Sequence, residues 1–212
     1  MFRPVSHVVP LVRARRPGPL LVAEAYRGLE QALQRQGFDH CYDKGLHDRP
    51  LHEDAGAVRA HPRAGLAPQR GLARFLENHG EPRAATTLPG ERGRAAALTV
   101  ATPPGATLWH DGQFEGRCVR PPVFLSRRHP EPVDEALRDF YGRLLRATPA
   151  LRRGERRTVT PAGLPGDDSR RALLSWTGTR TEARHLVVVN HSGRPARARL
   201  PPGAACGTAH RT

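Results

Sequence analysis

Four short apolar runs, spaced so that a helical segment fits between neighbours, set the strongest limit on what this chain can fold into. They lie at residues 20–23, 38–42, 74–77 and 106–109. Such runs, bounded by turn formers, suit strands buried on both faces. Between the first two, Leu29, Leu33 and Gln36 recur at helical spacing, and Gly37 closes the segment. Between the last two, residues 94–101 carry a helix that Pro103-Pro104-Gly105 ends. Strands alternating with helices build a parallel sheet, because parallel neighbours need a crossover. The expected fold class is α/β.

The flanks fit less regular structure. Residues 5–12 read as a helix kinked or ended by Pro10, with Pro17-Gly18-Pro19 as its stop. Residues 47–69, rich in His, Pro, Gly and charge, read as an irregular crossover or two short helices. Residues 134–145 place Leu137, Phe140, Tyr141, Leu144 and Leu145 at a period of 3.6, an amphipathic helix. Past residue 149 the pattern changes to β-runs at 172–176, 185–189 and 196–200. Asn190-His191-Ser192-Gly193 is a turn between the last two.

A net charge of +14 invites a nucleic-acid reading, but the residue types oppose it. Lys44 is the only lysine, the arginines are spread along the chain, and aromatics supply only 5 % of residues for stacking on bases. Specific nucleic-acid binding therefore rests on charge alone and is not expected. Cys41, Cys118 and Cys206 are odd in number and far apart, with no CxxC pair, so neither a metal site nor a disulfide framework is expected. The start of the chain reads as neither a secretory signal nor a membrane span, and the expected setting is cytoplasmic.

Four segments stand in a fixed order. The first is Leu21-Val22-Ala23-Glu24-Ala25-Tyr26, followed by Leu29-Glu30, Gln36-Gly37-Phe38-Asp39 and Tyr42-Asp43-Lys44. The second is Phe75-Leu76-Glu77-Asn78-His79-Gly80-Glu81-Pro82-Arg83. The third is Pro104-Gly105-Ala106-Thr107-Leu108 running into Gly112-Gln113-Phe114-Glu115-Gly116-Arg117. The fourth is Phe140-Tyr141-Gly142-Arg143-Leu144-Leu145, ahead of Val188-Val189-Asn190. Together, in this order, they resemble glycoside hydrolase family 13, the α-amylase family.

The resemblance implies a partial (β/α)8 TIM barrel, strands five to eight, followed by a partial antiparallel β-sandwich. Residues 1–148 would be the C-terminal half of the catalytic barrel and residues 149–212 an incomplete C-terminal β-domain. Active sites of such barrels lie at the C-terminal ends of the strands. Glu24 matches the family's general acid/base, and His79 and Tyr26 match substrate-binding positions. The implied substrate class is α-glucans and related sugars, with no cofactor.

The chemistry also requires partners for Glu24. A retaining glycosidase needs a proton donor and a carboxylate nucleophile about 5–5.5 Å away. The family carries its nucleophile on the strand before these four, which would precede Met1, so the chain is expected to be truncated. The family's further aspartate follows the histidine in an Asn-His-Asp triplet, where this chain reads Asn78-His79-Gly80. Arg27, where an aromatic is common, and Pro50, where an apolar residue is usual, are further departures.

The sequence expectation is thus a degenerate glycosidase fragment, inactive alone, and supply of the missing half-barrel in trans stays open. The alternative is a non-catalytic carbohydrate-binding or scaffolding protein with the amylase fold. Glu77 and Arg83 are expected to support the loop by ion pairing, and Gln113 and Glu115 to organise the loop after the fourth strand. Arg127, Arg128 and the basic run at 152–157 are expected to form a solvated face.

Overall fold

The computed structural model describes residues 5–25, 28–52, 69–124, 127–152, 155–159, 162, 173–180, 183–192 and 194–199. Its centre is a sheet of four strands, β1 (Val22–Ala23), β2 (His40–Tyr42), β3 (Leu72–Arg74) and β4 (Ala106–Thr107). They lie in the order β1-β2-β3-β4 and every adjacent pair is parallel. The register sets Ala23 beside Cys41, Cys41 beside Leu72, and Arg74 beside Thr107. All four strands therefore end on the same rim.

Helices supply the crossovers. α1 (Val5–Arg15) precedes β1 with Pro10 inside it, and α2 (Glu30–Arg35) leads from β1 to β2. α3 (Lys44–His52) leaves β2; the remainder of the crossover expected over residues 47–69 lies largely outside the described residues. α4 (Ala84–Thr87) and α5 (Glu91–Ala101) link β3 to β4. α6 (Glu135–Arg152) follows, running through Pro149 and beyond the end at residue 145 that its apolar spacing suggests.

The third strand is displaced from its expected place. The sequence put it at residues 74–77, whereas the ladder occupies Leu72–Arg74. Arg74 is common to both ranges and is buried inside the strand. Its Nε lies 3.2 Å from Asp43 Oδ2, and its guanidinium also donates to Pro104 O and Gln69 Oε1. Burial lowers its pKa to about 10, with Asp43 acting against the shift. Charge pairing thus allows an arginine where an apolar residue would be expected. The chain closes tightly on this strand: Gly105 has φ +114, and a Cβ there would meet Leu72 O at 2.5 Å.

After α6 come β5 (Glu155–Val159), β6 (Leu173–Arg180) and β7 (Ala183–Asn190), an antiparallel sheet in the order β5-β6-β7. The β-runs at 172–176 and 185–189 fall within β6 and β7, whereas residues 196–199 contribute only a bridge between Ala162 and Arg199. Among the described residues this single sheet is all that the expected sandwich comprises. Part of the run at 152–157, expected as a solvated basic face, lies in β5. Arg152 is a correction to that expectation: its Nε donates to Ala101 O at 2.7 Å, and the same guanidinium reaches Gly105 O and Thr107 Oγ1. Its planar fork joins the ends of α5, α6 and β4.

The main core lies between α5, α6 and β7. Ala96, Ala97, Val100, Phe140, Tyr141 and Leu144 pack there with Val187 and Val189. At the other margin the apolar surface is uncovered: Val8, Leu11, Leu20 and Val22, on α1 and along β1, are 45–66 % exposed. Arg13 still anchors α1 to the sheet by pairing with Asp39, whose carboxylate also accepts the Leu21 N–H at 2.7 Å. That N–H and Arg13 hold the Asp39 pKa below its usual value.

Candidate active site

The shared rim collects most residues that the sequence singled out. Glu24 follows β1 directly and is exposed. Tyr42 ends β2, and its phenol pKa is raised by burial and then by the charge of Glu24. His79 lies five residues beyond β3 and is exposed. Glu24 and His79 are therefore brought to the same end of the sheet, two strands apart. Tyr26 and Arg27 lie outside the described residues.

The loop carrying His79 is shaped by Asn78. This buried side chain accepts the Gly80 N–H at 2.8 Å and the Glu81 N–H at 3.0 Å through Oδ1. Asn is suited to such a turn because its side chain reaches its own backbone two residues on. Gly80 has no side chain to offer at the position beside His79.

One side of the loop is held by a buried charge cluster. Arg83 Nη1 lies 3.1 Å from Glu77 Oε1 and donates to His110 Nδ1 at 2.6 Å. Its Nε donates to Arg117 O at 3.2 Å and its Nη2 to Asp111 O at 2.9 Å. Glu77, fully buried, also accepts the Ala84 N–H through Oε2. Burial pushes the Glu77 carboxyl up to about 7, against the Ala84 N–H and the Arg83 charge. For Arg83 to donate to Nδ1, His110 must be neutral with its proton on Nε2. Burial and then Arg83 lower the His110 pKa, with His79 adding to the effect.

The other side is held through Lys44, the first residue of α3. Its Nζ lies 2.7 Å from Asp48 Oδ1, 2.7 Å from Glu81 Oε1 and 3.2 Å from His47 Nδ1. The loop past β4 is organised by Gln113, which donates to Tyr141 Oη at 2.9 Å, and by Arg128, exposed as expected, on Asp111 at 2.8 Å.

The pairing of Glu77 with Arg83 was legible in the sequence; His110, Lys44 and Glu81 as its counterparts were not. For Lys44 a signal was present, since it is the one lysine of the chain. Chemically the rim offers an exposed carboxyl group at Glu24 and an exposed imidazole at His79, beside the fully buried carboxyl of Glu77. Among the described residues no cluster of three or more His, Cys, Asp or Glu could hold a metal, and no helix is long and apolar enough to cross a membrane.

No family model matches the chain, and no curated protein does. Solved structures match it closely in fold. It is similar to the debranching enzyme of Nostoc punctiforme, from an acarbose-soaked crystal, with TM-score 0.68 and 17 % identity over 88 % of this chain and 44 % of that one. A maltogenic α-amylase from Thermotoga neapolitana gives TM-score 0.68 and 20 % identity over 90 % of this chain and 46 % of that one. Cyclic α-maltosyl-(1→6)-maltose hydrolase from Arthrobacter globiformis, in complex with maltose, gives 0.68 and 20 % over 87 % and 44 %. The chain thus spans less than half the length of these structures and has the fold of part of an α-amylase-type enzyme.

Proposed function

We propose that this chain is a degenerate member of the α-amylase family of glycoside hydrolases whose 212 residues do not hydrolyse α-glucans on their own. In this reading β1 to β4 correspond to barrel strands five to eight, and β5 to β7 to the start of the C-terminal β-domain. Glu24 stands at the acid/base position, with His79 and Tyr26 as sugar contacts. The observation that carries the reading is the common rim: Glu24 and His79 follow parallel strands of one sheet at the same end. The fold match to amylase-type enzymes supports it.

Glycosidic hydrolysis needs more than this rim offers. A proton from Glu24 leaves the oxocarbenium-like charge of the transition state uncompensated unless a second carboxylate faces it. Gly80 takes the place of the aspartate that would hold the sugar hydroxyls, and the family's nucleophile belongs to a neighbouring strand outside the four described here. A further β/α unit, on the same or another polypeptide, fits the uncovered margin of α1 and β1 and belongs to the same proposal.

The alternative of a purely carbohydrate-binding or scaffolding protein draws support from one feature. The His79 loop keeps its turn and both its anchors although Gly80 lacks the carboxylate. The test is calorimetry with maltoheptaose beside an assay on starch and a chromogenic α-glucoside. Binding that weakens in His79→Ala, with no sugar released, is the expected result. Turnover that Glu24→Gln abolishes would show that another group acts as nucleophile.

A further inference from the structure

The rim contains one basic residue whose identity departs from the rest of the chain. Lys44 is the single lysine among 34 lysines and arginines. It stands where β2 gives way to α3, next to the strand that carries Glu24. Its ammonium group meets two carboxylates from different parts of the fold: Asp48 on its own helix and Glu81 on the loop past β3, each at 2.7 Å. The His47 ring, buried and stacked on Phe75 with centroids 4.8 Å apart, brings its Nδ1 to 3.2 Å from Nζ and 3.0 Å from Asp48 Oδ1. A compact ammonium with three donors on a flexible stem can meet carboxylates from two parts of the fold at once, whereas a planar guanidinium presents its donors in one fixed fork. The other anchor of the loop, Arg83, has the opposite requirement and spends its flat fork on Glu77, His110, Arg117 O and Asp111 O.

Glu81 is also the last residue of the turn folded around Asn78 Oδ1, and His79 and Gly80 lie inside that turn. Fixing the Glu81 carboxylate therefore fixes the end of the segment on which His79 is carried. We propose that Lys44 is a positioning residue for His79: through Glu81 it holds the imidazole at the height on the rim where a sugar hydroxyl is met. The proposal rests on the reading of His79 as a glucan contact. It makes Lys44 the connection between the strand next to Glu24 and the His79 loop.

The test uses the full chain and the variants Lys44→Met, Lys44→Arg, Glu81→Gln, Asp48→Asn and His79→Ala. Two readouts are taken: maltoheptaose affinity by calorimetry, and the His79 imidazole resonances by NMR on histidine-labelled protein. Lys44→Met and Glu81→Gln should weaken binding about tenfold, the scale of one charge-assisted hydrogen bond. Neither should weaken it further in a His79→Ala background, because both act through that ring. Lys44→Arg should fail to restore affinity. Asp48→Asn removes a Lys44 partner but leaves the Glu81 bridge, so it should keep both the affinity and the His79 resonances.

Equal displacement of His79 by Asp48→Asn and Glu81→Gln would reduce Lys44 to a general stabiliser and overturn the proposal. Wild-type behaviour of Lys44→Arg would overturn it as well. Should the wild type not bind maltoheptaose, the glucan reading fails, and the NMR arm still decides the positioning claim. His79 resonances that move in Lys44→Met and Glu81→Gln, but not in Asp48→Asn, sustain it; unmoved resonances refute it. Glu81→Gln nearly preserves shape, so it remains informative if Lys44→Met fails to fold.

Discussion

Replacing Glu77 by Gln removes a titrating proton from the centre of the rim while nearly preserving the side chain's shape. Burial raises the carboxyl to about 7 in the folded protein, against an ordinary value of 4.5. Between these values the folded chain holds a proton at Glu77 that the unfolded chain has released. Stability must then fall as pH rises across that window. The contribution is fully present below about pH 4.5 and lost by about pH 7. At about 1.4 kcal/mol per decade the whole loss is about 3 kcal/mol. Glutamine cannot titrate, so the Glu77→Gln profile lacks this slope. Other titrating groups, including His110 and His191, remain in both proteins and largely cancel in the difference.

The measurement is urea unfolding followed by far-UV circular dichroism at half-unit steps from pH 4.5 to 8, wild type minus variant. A difference that declines with pH by about 3 kcal/mol is expected. A flat or rising difference would refute the reasoning. It would mean that the Arg83 guanidinium 3.1 Å away and the Ala84 N–H keep the carboxyl ionised throughout, outweighing burial.

Three further outcomes are expected. Arg152→Ala should cost about 2–4 kcal/mol in urea unfolding, because Ala101 O, Gly105 O and Thr107 Oγ1 lose a charged donor together; a cost below about 0.5 kcal/mol would make the fork superficial. Gly80→Asp should fold, since its Cβ would meet only Asn78 Oδ1 at 3.3 Å, yet release no sugar from starch, as one restored carboxylate of a cooperating set recovers little; any Glu24-dependent turnover in that variant counts against this. The wild type should self-associate in sedimentation velocity through the uncovered margin of β1, and Val22→Lys should shift it towards monomer, because charge on an edge strand opposes pairing; an unchanged profile would direct attention to another surface.

The parallel sheet was legible because its strands are short apolar runs with glycine or proline at their ends, and that pattern survives any arrangement of the loops. Its exact ladder was not. Residues 74–77 were expected and Leu72–Arg74 pair, so Arg74 is common to both ranges, and the Asp43 partner that lets it be buried leaves no local trace. β5 was missed for a related reason. Its sequence, Glu155-Arg156-Arg157-Thr158-Val159, reads as a solvated charge run, and its pairing with β6 gives it its form. Conversely, residues 196–199 carry the alternation of a strand but have only the Ala162 bridge as a partner among the described residues. At the site, Glu24 and His79 stood out through the motifs around them. Arg83 with His110 joins residues 27 apart, and Lys44 with Glu81 joins residues on different connections, distances over which spacing rules carry no information.

The sharing of one core by α5, α6 and β7 bears on how this chain can be divided. Val187 and Val189 press on the same interior as Phe140 and Leu144, and Thr99 Oγ1 on α5 meets His191 Nε2 at 2.9 Å just past β7. His191 is held neutral there, its pKa lowered by burial to about 4. Grafting a foreign β-domain after residue 148 would therefore cut α6 before its last turn and also strip the greasy lid from the helices behind the rim. In recombination the terminal sheet travels with the parallel strands as one unit, and a seam that preserves both lies beyond Asn190 rather than before β5.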